Sequence, residues 1–157
     1  MISRISILFL LSLALPTWAQ HTAPPGADPN ASFQPLPERK DVVSWKTLAQ
    51  VELVKQKDRY VPQFSSSIAA LDKKDVKLQG FMMPLEMGDK QSHFMLAAAP
   101  VDCAFCMPGG PESLVEVKSR QPIAYGAAPV VLTGKLAVLK DDPTGVFYRL
   151  TDAVPAK

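Results

Sequence analysis

The pattern of hydrophobic and polar positions divides the chain into a leader, a linker and a folded part. Arg4 precedes an apolar run over residues 5–15, and the small residues Thr17 and Ala19 follow it. The run is shorter than the roughly 20 apolar residues that a transmembrane helix needs. A basic start, a short apolar run and small residues are typical of a cleaved export signal. The pattern predicts a signal peptide over residues 1–19, a periplasmic protein secreted through it, and no membrane span after signal cleavage.

Residues 20–40 show no hydrophobic periodicity. The segment combines five prolines with Gly26, Asn30 and Ser32. A segment of this composition buries too little apolar surface to offset the entropy cost of ordering it. We therefore predict a disordered, proline-rich tether over residues 20–40 and a single domain over residues 41–157.

A helical pattern opens the folded part. Ser44 is a suitable N-cap, and Trp45, Leu48 and Val51 recur at the spacing of one helix face. The pattern predicts a short helix after Ser44, and Pro62 is expected to end regular structure in this region.

From Val76 onward, apolar and polar residues alternate with the period of half-buried strands. Gly80 and Gly134 lie within two of these stretches, where glycine often marks a bend in a small barrel. The predicted strands are residues 76–85, 93–98, 114–117, 129–138 and 146–150. Five short strands after a helix predict a mainly β fold, a small five-stranded antiparallel barrel of the oligonucleotide/oligosaccharide-binding (OB) type with a short preceding helix.

Composition and charge exclude several classes of function. A chain of 157 residues allows one domain. The 17 basic and 15 acidic residues give a net charge of +2, and no basic cluster marks a nucleic-acid partner. His21 and His93 are the only histidines, and His21 falls in the tether, so no Ser-His-Asp set is evident. We predict that the protein is not an enzyme.

Candidate chemistry is concentrated in the loop over residues 100–111, which carries Cys103 and Cys106. This CxxC spacing lets both sulfur atoms meet one metal ion, and it also permits a small disulfide ring. A disulfide is the default in an oxidising, exported compartment. Thiolate and thioether ligands favour Cu(I), whereas thiolate with imidazole suits zinc. Met107 follows the second cysteine and His93 begins the strand that runs into the loop, so both are secondary candidate ligands.

Other interpretations of the loop stay open at this point. Met82, Met83, Met87 and Met95 lie on or near the adjoining strands, although a methionine on a strand more often fills a core. A redox-active pair is a further possibility, but no βαβ pattern surrounds the cysteines. Haem attachment requires a histidine at the position that Met107 occupies.

The chain from Ser44 to its end resembles a bacterial family of small exported or lipid-anchored proteins, domain of unknown function 3299. The matching segments are residues 44–48, 76–86, 93–96, the cysteine loop, 115–117, 129–136 and 148–150. The resemblance implies an OB-like barrel and no established activity. Some members lie beside genes of exporter or metal-uptake type, which favours metal handling. Many members carry Cys-x-His and several prolines in the loop, whereas this chain has a second thiol at Cys106.

The sequence thus predicts a periplasmic, non-enzymatic accessory protein that handles copper or zinc. Its predicted metal ligands are Cys103 and Cys106, with Met107 and His93 as secondary ones. The alternative is a disulfide-stapled interaction module that docks to an envelope transporter or another periplasmic protein. A thiol–disulfide redox protein is the third hypothesis.

Overall fold

The computed structural model describes residues 36–37, 39–100 and 109–157. Its elements are α1 (Trp45–Leu48), β1 (Val51–Gln56), β2 (Arg59–Phe64), α2 (Ser66–Ala69), β3 (Asp75–Pro84), β4 (Lys90–Ala97), a 3-10 helix (Pro111–Ser113), β5 (Leu114–Ala124), β6 (Val130–Val138) and β7 (Tyr148–Pro155). Within these ranges, no helix has the length and apolar character to cross a membrane. The predicted signal peptide and most of the predicted tether lie outside the described residues.

Strands β3 to β7 form a closed barrel in the order β3-β4-β5-β7-β6. The predicted mainly β fold with a five-stranded barrel is confirmed. The expectation that every strand is antiparallel is wrong for one pair, because β5 and β7 run parallel. Parallel neighbours cannot be joined by a tight hairpin. The chain instead leaves β5, forms β6 on the far side of β7, and returns through an antiparallel β6–β7 pair.

Glycines occupy the predicted bends of the barrel. The first part of β3 pairs with β6 and its last part with β4, and Gly80 lies at this change of partner. A Cβ atom at Gly80 would lie 2.7 Å from the carbonyl oxygen of Ala97. At Gly134, where the β6–β7 register shifts, a Cβ atom would lie 2.7 Å from the carbonyl oxygen of Thr151. Both positions therefore require the close backbone approach that glycine permits.

The barrel interior is one apolar core. Its buried members are Val76, Leu78, Met82, Phe94, Leu96, Val115, Val117, Leu132, Leu136, Phe147, Tyr148, Leu150 and Ala153, together with Leu48 and Ile68 from the two helices. The hydroxyl of Tyr148 donates a hydrogen bond to the carbonyl oxygen of Leu48 at 2.6 Å. Helix α1 is thereby fixed against one end of the barrel.

The segment before the barrel differs from its prediction. Ser44 caps α1 as expected, its side chain accepting a backbone N–H of the first turn. The helix nevertheless ends at Leu48, and Val51, predicted on the helix, begins β1 instead. Pro62 does not end regular structure but lies within β2. Strands β1 and β2 form a separate two-stranded sheet, in which an edge strand tolerates a proline without a backbone N–H.

Candidate functional site

One outer surface of the barrel carries titratable groups beside methionine. Side chains alternate along a strand, and Phe94 on β4 and Val117 on β5 are buried in the core. The intervening positions therefore lie on the outside. We call this surface the β4–β5 face, formed by His93, Met95, Glu116, Lys118 and Arg149. β4 and β5 are the second and third strands of the barrel.

Glu116 is the central charged group of the β4–β5 face. Its Oε1 lies 2.8 Å from Nε2 of His93, and its Oε2 accepts a hydrogen bond from Nε of Arg149 at 2.5 Å. The side chain of Glu116 is 11% exposed, against 41% for His93. Burial by itself raises the pKa of Glu116, but the hydrogen bonds from Arg149 and His93 outweigh it and lower the pKa below its usual value. Both carboxylate oxygens are therefore engaged.

Arg149 connects Glu116 to the loop between β6 and β7. Its Nη2 donates to Oδ2 of Asp142 at 3.0 Å. The other carboxylate oxygen of Asp142 accepts the backbone N–H of Thr144 at 2.9 Å and also the hydroxyl of Thr144. The hydrogen bonds from Thr144, followed by that from Arg149, lower the pKa of Asp142. The charged network thus extends from β4 through β5 and β7 to this loop.

A β-bulge fixes the backbone at His93. The β4–β5 register shifts between Gln91 and His93. Oε2 of Glu86, in the β3–β4 loop, accepts the backbone N–H groups of Ser92 at 2.9 Å and His93 at 3.3 Å. The buried Gln91 side chain in turn bridges the backbone of Glu86 and Gly88. Bulges re-aim the side chains next to them, and this one is held by four side-chain hydrogen bonds.

Two methionines lie on the same outward side of the sheet as His93, but Met95 is buried, with 8% of its surface exposed. Met95 is opposite Glu116 on β5 and opposite Met83 on β3. Met95 belongs to a small apolar cluster on the outside of the barrel, whose other members are Ala97 and Leu114, with Met83 and Val146 packed against them. Of the other methionines considered from the sequence, Met82 lies in the core and Met87 is 99% exposed.

The remaining predicted ligands, Cys103, Cys106 and Met107, lie outside the described residues. The described ends of their loop are nevertheless joined. The backbone N–H of Ala98 donates to the carbonyl oxygen of Ser113 at 3.1 Å, which continues the β4–β5 ladder to the base of the loop. In the ranges that the structure covers, no group of three or more His, Cys, Asp or Glu residues is arranged to hold a metal ion.

Sequence reasoning missed the partners of His93. Glu116 lies between two buried valines, and Arg149 lies between Tyr148 and Leu150, both fully buried. The available signal was a charged residue inside an apolar strand. A partly buried charge needs an ion pair or hydrogen bonds, and the neighbouring outward-facing residues must supply them. The pairing of Glu116 with Arg149 depends on the parallel contact between β5 and β7. The alternation of apolar and polar residues does not predict which strands are neighbours.

Comparisons with known proteins identify a family without an assigned activity. The family model DUF3299, a protein of unknown function, matches residues 20–151. The crystal structure of a DUF3299 family protein from Pseudomonas aeruginosa PAO1 has 20% sequence identity over 61% of this chain and 68% of that chain, with a TM-score of 0.43. No curated protein matches the sequence.

Proposed function

The chain belongs to the DUF3299 family, whose function is unknown, and we propose that it is an exported, non-enzymatic protein that binds a soft metal ion, copper(I) or zinc. The supporting observation is that His93, Met95 and Met83 lie on the outward side of neighbouring strands, β4 leading into the cysteine loop four residues after His93. Imidazole, thioether and thiolate are the donors that these ions prefer. The CxxC pair supplies the two thiolates.

The described donors are neighbours in the sheet. His93 and Met95 are two positions apart on the same face of β4, about 7 Å along the strand. Directly opposite positions on antiparallel strands, such as Met83 and Met95, have Cβ atoms about 4.5–5.5 Å apart. Because methionine has three rotatable side-chain bonds, its sulfur can approach an ion held by the histidine. We propose that these strand donors and the loop thiolates make an open site, suited to exchange of the ion with a partner.

Thiol state and metal content, measured together, test this proposal. The mature protein is purified from the periplasm, its free thiols are titrated, and native mass spectrometry is run with copper(I) or zinc under reducing conditions. We expect two free thiols and one retained ion. The Cys103→Ser/Cys106→Ser variant is expected to lose the ion and to keep its circular dichroism spectrum. Met87→Leu, on the fully exposed methionine, is the matched control and should retain the ion.

Failure to bind metal would favour a different function. Two results together contradict the metal proposal. The protein as purified has no free thiols and a mass two hydrogens short, and after reduction it binds neither ion. These results favour the second candidate, a disulfide-stapled module that docks to an envelope transporter. The exposed side chains of Leu53 and Tyr60 on the β1–β2 hairpin, 59% and 66% accessible, are apolar surface that such docking would use.

A further inference from the structure

The β1–β2 hairpin has open strand edges within the described part of the chain. Strands β3 to β7 close into a barrel, whereas β1 and β2 pair only with each other. An open edge presents unpaired backbone N–H and C=O groups, which can pair with another strand. The two edges of this hairpin differ in what they present.

The register of the hairpin shows which backbone groups point to its edges. The N–H of Ser65 donates to the carbonyl oxygen of Gln50 at 3.2 Å, so this pair, next to the first pair of the ladder, is hydrogen-bonded. Hydrogen-bonded and non-hydrogen-bonded pairs alternate in an antiparallel ladder. Three positions further along, Leu53 and Pro62 are opposite each other. They therefore form a non-hydrogen-bonded pair, whose backbone groups turn outward.

Proline blocks one of the two edges. Pro62 has no N–H, so the outward side of β2 lacks a donor near its centre. On β1, the N–H and C=O groups of Leu53 and Lys55 turn outward, and no hydrogen bond among the described residues uses them. The outward edge of β1 is therefore the one that can accept a further strand.

The side chains of β1 specify what the added strand carries. Glu52, Leu53 and Lys55 are exposed. Directly opposite residues on antiparallel strands interact, and opposite charges favour the pair. A complementary antiparallel strand therefore places an acidic residue opposite Lys55, an apolar residue opposite Leu53 and a basic residue opposite Glu52. Its order from the N-terminus is acidic, any residue, apolar, basic.

A second copy of this chain does not meet this requirement. The outward groups of β1 belong to odd-numbered residues, so two β1 edges can pair only with odd-numbered residues opposite one another. Lys55 then never lies opposite Glu52, the single acidic residue of β1. We propose that the outward edge of β1 binds an extended, antiparallel segment of another protein with the acidic–any–apolar–basic order, by strand addition. This interaction surface goes beyond the proposed metal binding and does not depend on it.

A synthetic peptide tests the proposal directly. The probe is a capped octapeptide with Glu-Thr-Val-Lys at its centre and threonine at the flanking positions, and ¹⁵N-labelled protein is titrated with it in nuclear magnetic resonance experiments. We expect the largest shifts at the amides of Leu53 and Lys55. The control peptide, with Lys-Thr-Val-Glu at its centre, should bind more weakly. No shift of the β1 amides, or equal affinity for the two peptides, overturns the proposal.

Two proline variants distinguish the two edges. Leu53→Pro removes an outward N–H and none of the hydrogen bonds within the hairpin, as Pro62 does on the opposite strand. We expect about tenfold weaker binding of the Glu-Thr-Val-Lys peptide, because one hydrogen bond is lost. Tyr60→Pro removes an outward N–H from β2 and is the matched control, with the affinity of the wild type. Equal losses in the two variants would show that the peptide does not use the edge of β1.

A charge variant tests the register without changing the backbone. Lys55→Glu is expected to prefer a peptide with Lys-Thr-Val-Lys at its centre, and an unchanged preference contradicts the pairing at this position. Circular dichroism identifies a proline variant that fails to fold, and Lys55→Glu then decides. Sedimentation equilibrium of the wild type tests the other occupant: a dimer that Lys55→Glu or Leu53→Pro dissociates would overturn the choice of another protein in favour of a second copy.

Discussion

At the scale of single residues, the barrel depends on positions where an added atom has no room. Gly80→Ala places a methyl group 2.7 Å from the carbonyl oxygen of Ala97. We expect this substitution to lower the free energy of unfolding by about 1–3 kcal/mol, the usual cost of overpacking. Gly126→Ala, where a Cβ atom meets nothing within 4 Å, should change it by less than about 0.5 kcal/mol. Urea unfolding measures both, and equal effects contradict the close approach at Gly80.

A second residue-scale prediction concerns the buried hydroxyl of Tyr148. Tyr148→Phe removes its hydrogen bond to the carbonyl oxygen of Leu48 and leaves a buried acceptor unsatisfied. We expect a loss of about 1–3 kcal/mol in the free energy of unfolding. Tyr125→Phe removes a hydroxyl from a half-exposed ring and is the control. A Tyr148→Phe variant as stable as this control would show that the hydrogen bond contributes nothing to the attachment of α1.

The ionisation of Glu116 predicts a dependence of stability on pH. Its hydrogen bonds to Arg149 and His93 hold its folded-state pKa below the ordinary value of 4.5. A carboxyl with a lowered folded pKa contributes stability that is present above the unfolded pKa and is lost as the pH falls through the folded pKa. We therefore expect Glu116→Gln to be less stable than the wild type at neutral pH, with the difference shrinking below pH 4.5.

Thermal unfolding measures this difference in stability at a series of pH values between about 7 and 3. This pH range spans the ordinary carboxyl pKa. Glu52→Gln controls for the loss of one negative charge on the surface. A constant difference between wild type and Glu116→Gln across the series contradicts a role for the ionised carboxylate. Such a result would assign the effect of the substitution to packing alone.

At the scale of elements, two contacts between the β1–β2 hairpin and the barrel differ in strength. Arg59 pairs with Asp141 at 2.6 Å, but both side chains are more than 60% exposed, and such surface pairs contribute about 0–1 kcal/mol. The ring of Phe64 packs against Phe147 and Tyr148 at centroid distances of 5.9 and 5.8 Å. Burial of an aromatic side chain outweighs an exposed ion pair.

We therefore expect Phe64→Ala to loosen the hairpin and Arg59→Ala to leave it in place. The expected losses in unfolding free energy are about 1–3 kcal/mol for the partly buried aromatic side chain and less than about 1 kcal/mol for the arginine. Hydrogen exchange of the β1 and β2 amides reports the local effect. Faster exchange in Arg59→Ala than in Phe64→Ala would contradict this order.

The same elements show what sequence patterns can determine. The barrel strands were predictable because alternation and turn residues are local, and Gly80 and Gly134 indicated the bends. The β1–β2 hairpin was missed because the spacing of Trp45, Leu48 and Val51 also fits a helix face, so the start of β1 was assigned to the helix. The direction of the β5–β7 pair was missed because a period of two is the same for parallel and antiparallel neighbours.

At the scale of the whole molecule, the candidate site was only partly predictable. His93 was recognisable as a candidate ligand from its place before the cysteine loop. Its partner Glu116 is 23 positions away, and Arg149 is a further 33 positions from Glu116. These contacts depend on closure of the barrel, so the tertiary fold creates the network that orients the ring. The loop cysteines, by contrast, are close in the sequence whatever the fold.

The proposed metal site also predicts a property of the entire domain. A ligand that binds only the folded state raises its stability, by about 2.7 kcal/mol when the free ligand is at 100 times its dissociation constant. We expect zinc, added with a non-thiol reductant, to raise the unfolding temperature of the wild-type protein and a chelator to reverse the rise. His93→Gln should show a smaller rise, because the ion then lacks the proposed imidazole ligand. A rise of equal size in both proteins would show that the ion binds elsewhere. A fall in the unfolding temperature would show that the ion binds the unfolded chain more tightly than the folded domain, and would contradict a metal site built by the fold.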